Sequence, residues 1–170
     1  DRTNGRVLFD YFLGGALGRD VETVHDMVIG HLDLVLVPIT AYVDLYPRMQ
    51  TWLLPYLFES EDHLREALSG PVARDFLKEL EWHGVQGLAF WSAGFRHVGS
   101  SGKAISTLDD FTDLRIGTHP IDVYTQTWQA FGAEPVPTPW QDVPSRLKRG
   151  EIVAHDGTPG AVWPIEEHQT

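Results

Sequence analysis

Apolar positions along the chain follow two rhythms, one of helices and one of strands, and the two alternate. Val21, Val24, Met27 and Val28 recur at helical spacing, with Asp20 placed as an N-cap and Gly30 as a stop. Ser60 caps a second helical stretch, in which Leu64 and Leu68 lie one turn apart on one face. A third helix opens at Pro71 and closes at Gly84, and a fourth runs over 121–131 to Gly132. A fifth is expected over 140–149, with Pro144 deep inside it at the expense of a backbone hydrogen bond. Between these helices, 6–13, 32–38, 85–94, 114–119 and 152–157 read as strands. Residues 41–58 are aromatic and proline-punctuated, which predicts short helix and irregular packing. "RHVGSSGKAI" reads as an extended excursion with a glycine-serine turn, and "EPVPTP" as an extended connector.

Strand, helix and strand within the first forty residues imply a parallel βαβ unit and an α/β class with a mainly parallel sheet. In such folds ligands bind beyond the carboxyl ends of strands. That singles out 38–40, 91–96, 117–120 and 155–158. It also makes Gly117 conspicuous. Glycine inside a strand weakens it and marks a bulge or a close approach by another group.

Composition narrows the function. The 170 residues carry a formal net charge of −11, which argues against nucleic acid and anionic membrane surfaces, both of which need a basic footprint. The chain holds no cysteine, which rules out disulfides and thiolate metal sites. It contains no apolar run of about eighteen residues that would cross a membrane. The polar stretch opening at Asp1 shows no signal-peptide pattern, leaving a chain that is cytoplasmic, already processed or truncated. Six tryptophans are many for this length and suit a small-molecule pocket, although most tryptophans simply pack.

Six stretches, in order, carry a resemblance. They are "GALGRDVETVHDMVIGHLDLVLV", "LLPYLFESEDHLREALSG", "GVQGLAFWSAGFRHV", "KAISTLDDFTDLRI", "FGAEPVPTPWQDVPSRLKRGEI" and "HDGTPGAVW". Together they resemble the solute-binding proteins of TRAP (tripartite ATP-independent periplasmic) transporters. The resemblance implies a periplasmic-binding-protein-like (type II) two-lobe fold, with parallel or mixed sheets flanked by helices. Lobe I would be 1–93, lacking its first strand. Lobe II would be 94–170, partial, ending at the inter-lobe crossover. It further implies a periplasmic receptor that closes around a small, carboxylate-bearing solute and delivers it to membrane permease subunits, with no cofactor and no catalysis.

The resemblance also implies site residues. Arg96 falls where the family has an arginine facing the ligand carboxylate, and a guanidinium matches a carboxylate with two parallel hydrogen bonds. Gly117 falls where the family has a second arginine, so the usual paired clamp is missing and the pocket is expected to widen. Arg115 is no substitute, lying two residues earlier on the same strand. His119, at the same strand end, would act as a donor. Trp140 and Trp91 would stack on the solute, Ile39 and Thr40 would face it, and Asp156 would accept from a hydroxyl or amine. Each also has a plain reading: a surface ion pair for Arg96, a loop histidine for His119, core rings for the tryptophans, a turn aspartate before Gly157 for Asp156.

Two other functions stay open. A small α/β enzyme could use His119 or Asp156, but no G-x-S-x-G, H-E-x-x-H or phosphate-loop motif is present. His155 and Asp156, adjacent on a strand, would point to opposite faces. The chain could also be a truncated, non-functional remnant of the binding-protein family, given Gly117, Val153-Ala154 in place of the family's Asp-Gly, and Pro144.

Overall fold

The computed structural model describes residues 3–102 and 104–158. The expected polar tail with Trp163 lies outside them. Among the described residues, five α-helices and four short strands follow one another in the order α1 (Asp20–Val28), α2 (Glu61–Ser69), α3 (Pro71–Glu79), β1 (His97–Ser100), β2 (Arg115–Thr118), α4 (Asp122–Ala130), β3 (Glu134–Pro137), α5 (Val143–Lys148) and β4 (Ala154–Gly157).

The helices form where local chemistry supports them. The Ser60 hydroxyl accepts from the His63 N–H at 3.1 Å and caps α2. Pro71 sits in the first turn of α3, where no backbone donor is needed. A 3-10 turn then runs to His83 and ends at Gly84, whose φ of 76° favours glycine. The N-cap of α1 is Arg19, not Asp20: the Glu22 carboxylate reaches back to the Arg19 N–H at 2.9 Å. Pro144 is not deep in a helix either. A 3-10 turn over Trp140–Asp142 precedes α5, so the proline falls in the first turn and breaks no bond.

The four strands form one mixed sheet in the order β1-β4-β2-β3. β2 runs parallel to both β3 and β4, and β1 runs antiparallel to β4. The stretch expected as a connector is β3, an edge strand. The N–H groups of Glu134 and Thr138 donate to Leu114 and Thr118 of the neighbouring chain segment, at 2.9 and 2.8 Å. Pro135 and Pro137 alternate with those donors, so their missing N–H groups fall on the open side. Ile116 and Ala154, both fully buried, pack under Trp128 of α4 with Ala133.

The first half is built differently. Tyr46, Met49, Phe76, Leu80 and Val85 make a core between α3 and the 3-10 turns over 39–53, and Trp52 packs on it. The strands expected over 6–13, 32–38 and 85–94 are absent. Among the described residues, the backbone groups of 33–37 and 86–93 join no backbone–backbone hydrogen bond. A helix closes its hydrogen bonds within itself, whereas a strand needs a neighbour. Here the neighbour is not among the described residues.

Candidate functional site

The parallel strands β2, β3 and β4 end at Thr118, Pro137 and Gly157. Because β1 is antiparallel, its first residues lie at that same end, with His97 opposite Gly157. Arg96, just before β1, is thereby delivered to the carboxyl end of the sheet, beside Asp156 of β4. The Arg96 Nε donates to Asp156 Oδ2 at 2.7 Å, and Nη2 donates to the Asp156 carbonyl oxygen at 2.8 Å. The guanidinium carbon lies 4.6 Å from the ring centre of Tyr124, on α4. The Asp156 side chain is 3% exposed and that of Arg96 31%. The second carboxylate oxygen of Asp156, Oδ1, is buried without a hydrogen-bond partner among the described residues.

Electrostatics follow from this packing. Burial alone would lower the Arg96 pKa, but the Asp156 carboxylate and Tyr124 more than reverse that, so the guanidinium is held charged. Burial raises the Tyr124 phenol against the opposing pull of Arg96. His119 is pushed down, first by burial and then by Arg96, while Asp156 and Asp20 of α1 pull the other way. His155 is also pushed down, by burial, with its neighbour Asp156 opposing.

His155 and Asp156 do face opposite sides of the sheet, as alternation requires. Asp156 meets Arg96, whereas the His155 ring lies 5.8 Å from that of Trp140. Gly117 pairs with His155 across the ladder. A Cβ at Gly117 would lie 2.6 Å from the Ile152 Cδ1 and 3.3 Å from the Thr138 Oγ1. The close approach that glycine permits is therefore by Ile152, which is fully buried. Gly117 does not widen a pocket: core atoms fill the space beside it, and it lines neither cavity described here.

A cavity of about 790 Å³ opens at Arg96. Its wall includes Ile39, Trp91, Tyr124 and Asp156, and is otherwise mostly apolar. Arg96 and Asp156 also face a second cavity of about 550 Å³, walled by Val98, Phe111 and Trp128. The structure thus brings Arg96, Asp156, Ile39 and Trp91 to one space. His119 lies within electrostatic reach of Arg96 and Asp156, and Trp140 packs on His155. Thr40 follows Ile39 in a 3-10 turn and does not line the cavity. Two residues central to the geometry, Tyr124 and Ile152, escape the sequence reading. Helical spacing could have found Tyr124, one turn before Trp128 on the buried face of α4. Among the described residues, no group of three or more His, Asp or Glu is placed to hold a metal ion, and no helix is long and apolar enough to cross a membrane.

This arrangement can present one guanidinium to an acidic group. Its charge is already balanced by Asp156, and Gly117 adds no second cation. The chain is similar to proteins that hold acidic solutes. It is 28% identical over 163 residues to the 2,3-diketo-L-gulonate-binding periplasmic protein YiaO of Escherichia coli, covering 96% of this chain and 50% of that protein. It is 24% identical over 174 residues to the C4-dicarboxylate-binding periplasmic protein DctP of Rhodobacter capsulatus, covering 99% of this chain and 52% of that one. A TRAP periplasmic solute-binding protein from Xanthobacter autotrophicus, solved with bound β-D-galacturonate, superposes with a TM-score of 0.90 at 26% identity, over 99% of this chain and 56% of that chain. The chain spans about half the length of these relatives. Residues 1–166 match the bacterial extracellular solute-binding proteins of family 7, and the chain belongs to that family.

Proposed function

We propose that residues 1–170 form part of an extracytoplasmic receptor that captures a small organic solute bearing one acidic group and hands it to the permease subunits of a TRAP-type transporter. The observation that carries this reading is Arg96. It is held charged beside a mostly apolar cavity at the carboxyl ends of the strands, where open α/β sheets bind ligands. The solute's acidic group lies on Arg96, and its body lies against Ile39 and Trp91, with His119 within electrostatic reach of Arg96. Sugar acids fit better than dicarboxylates. They carry one charge to a site with one balanced cation, whereas a second carboxylate would find no second cation, since Gly117 supplies none. The two lobes are 1–93 and 94–170, and closure around the solute is driven by the difference in its affinity for the closed and open states.

The chain performs no chemistry in this reading. His155 and Asp156, which could be drawn as an acid–base pair, serve opposite faces of the sheet. A second reading, a remnant without function, draws on the unpaired runs 33–37 and 86–93. A thermal-shift panel of sugar acids, C4-dicarboxylates and neutral polyols separates them. A ligand at about 100 times its dissociation constant adds about 2.7 kcal/mol of stability. A cooperative melt raised by sugar acids supports the receptor. A melt raised only by neutral polyols removes the acidic group from the reading, and no cooperative melt supports the remnant.

A further inference from the structure

We infer that Asp156 and Tyr124 are positioning residues: they clamp the Arg96 guanidinium on two sides and so fix the direction in which it meets a solute. The inference rests on Arg96 as the solute's contact, and reassigns Asp156 from the solute to that arginine.

A long arginine side chain loses considerable rotamer freedom when it is held in one place. An arginine left free in a cavity would make a solute bear that loss at each binding event. Here the loss is incurred on folding. The Nε donates to Asp156 Oδ2 and Nη2 donates to the Asp156 carbonyl, at 2.7 and 2.8 Å, which fixes one edge of the planar group. The Tyr124 ring lies 4.6 Å from the guanidinium carbon and supports its face. The third amine, Nη1, takes part in neither bond to Asp156. The supports come from different elements, β4 and α4, both anchored by the Ile116, Trp128 and Ala154 core.

Burial separates this assignment from direct contact with solute. The Asp156 side chain is almost completely covered, and its free oxygen Oδ1 has no open path to solvent. The Arg96 side chain keeps about a third of its surface open. Asp156 and Tyr124 contribute to the cavity wall, but of the ion pair Arg96 offers by far the more open side chain. The sequence gives no hint of the pairing, because sixty residues separate its members.

The test has a ligand-free arm and a binding arm. In the first, proton–nitrogen NMR follows the Arg96 side-chain Nε–H of the whole chain, assigned by its loss in Arg96→Lys. The expected signal is a single resonance protected from solvent exchange. It should be lost or broadened in Asp156→Asn and in Tyr124→Leu. An unprotected Nε–H in the unaltered chain, or one indifferent to Asp156→Asn and Tyr124→Leu, overturns the inference whether or not any solute binds.

In the second arm, β-D-galacturonate is titrated by calorimetry. A positioning role predicts that Asp156→Asn weakens binding at least about tenfold, as expected for one charge-assisted bond. Tyr124→Leu should weaken it similarly, and Tyr124→Phe, which keeps the ring and loses the phenol, should weaken it less. If Asp156 acted only as a counter-charge, Asp156→Asn would tighten binding by removing a like charge, and that result overturns the inference. Failure of the unaltered chain to bind galacturonate or any other sugar acid counts against the proposed receptor, and leaves the NMR arm to decide the clamp.

Discussion

Residues 97–157 close a sheet, and the stretches 6–13, 32–38 and 85–94, read as strands from their sequence, do not. Beyond Arg96, Leu108 is the only large apolar side chain strongly exposed among the described residues. Before it, Leu8, Leu36 and Trp91 are each more than 80% exposed. Apolar content does not separate the halves; neighbours do. β2 lies between two parallel partners, and its central residues are buried on both faces. The run 34–37 is continuously apolar, as a buried strand would be, and 33–37 have no backbone partner among the described residues. The helices of both halves form regardless, because their hydrogen bonds close locally. A sheet is thus the part of an α/β fold that depends on segments distant in the chain.

The contrast can be broken by substitution, beginning with the largest effect. Ile116→Ala removes a fully buried side chain of β2. It should cost about 2–5 kcal/mol of unfolding free energy in a denaturant titration. Gly117→Ala should cost about 1–3 kcal/mol, the usual penalty for overpacking. Ile152→Val removes the methyl that lies 2.6 Å from the added Cβ, so it should recover most of that loss in the double variant. If Ile152→Val fails to rescue, Gly117 is glycine for some other reason.

Smaller effects sharpen the comparison. His119 and His155 both have folded pKa values below the ordinary 6.5, first because of burial. Above that pH both are neutral in the folded and unfolded chain and contribute nothing. As pH falls below 6.5, the unfolded chain takes up protons that the folded chain refuses, so stability declines until the lowered pKa values are reached. Melting temperature followed against pH should show that decline in the second half, and His119→Gln should flatten part of it. At the other extreme, Leu36→Lys, on an exposed position of an unpaired run, should change stability by no more than about 0.5 kcal/mol. Hydrogen exchange should complete the picture: amides of 33–37 and 86–93 exchange freely, and those of β2 are protected. Protection of 33–37 as strong as that of β2 would remove the distinction between the halves.

The helices of both halves and the strands of the second were largely legible in the sequence. Helix starts at Ser60 and Pro71, the stop at Gly84 and the strands around Ile116 and Ala154 all follow from signals a few residues long. The errors share a cause. Pro144 reads as mid-helix until the 3-10 turn before it is seen, and β3 reads as a connector because an edge strand can hide prolines on its open side. Strands over 6–13, 32–38 and 85–94 have the right pattern but lack partners, which no local pattern reveals. In the site, Arg96 is found by resemblance. Its fixation by Asp156 and Tyr124 depends on the register of β1 against β4, and on α4 returning over the sheet. Gly117 shows the same limit. Its position in a strand announces a close approach, but only the packed structure names Ile152 as the group that approaches.

The central claim is that a single, fixed guanidinium holds the acidic group of the solute. Calorimetric titration of β-D-galacturonate into the unaltered chain, Arg96→Ala and Arg96→Lys tests it most directly, with a thermal melt of each to establish that it folds. The account predicts binding by the unaltered chain, none by Arg96→Ala, and much weaker binding by Arg96→Lys, whose ammonium cannot reproduce the planar fork. Equal affinity in a folded Arg96→Ala would contradict it, and would move the solute away from the carboxyl end of the sheet.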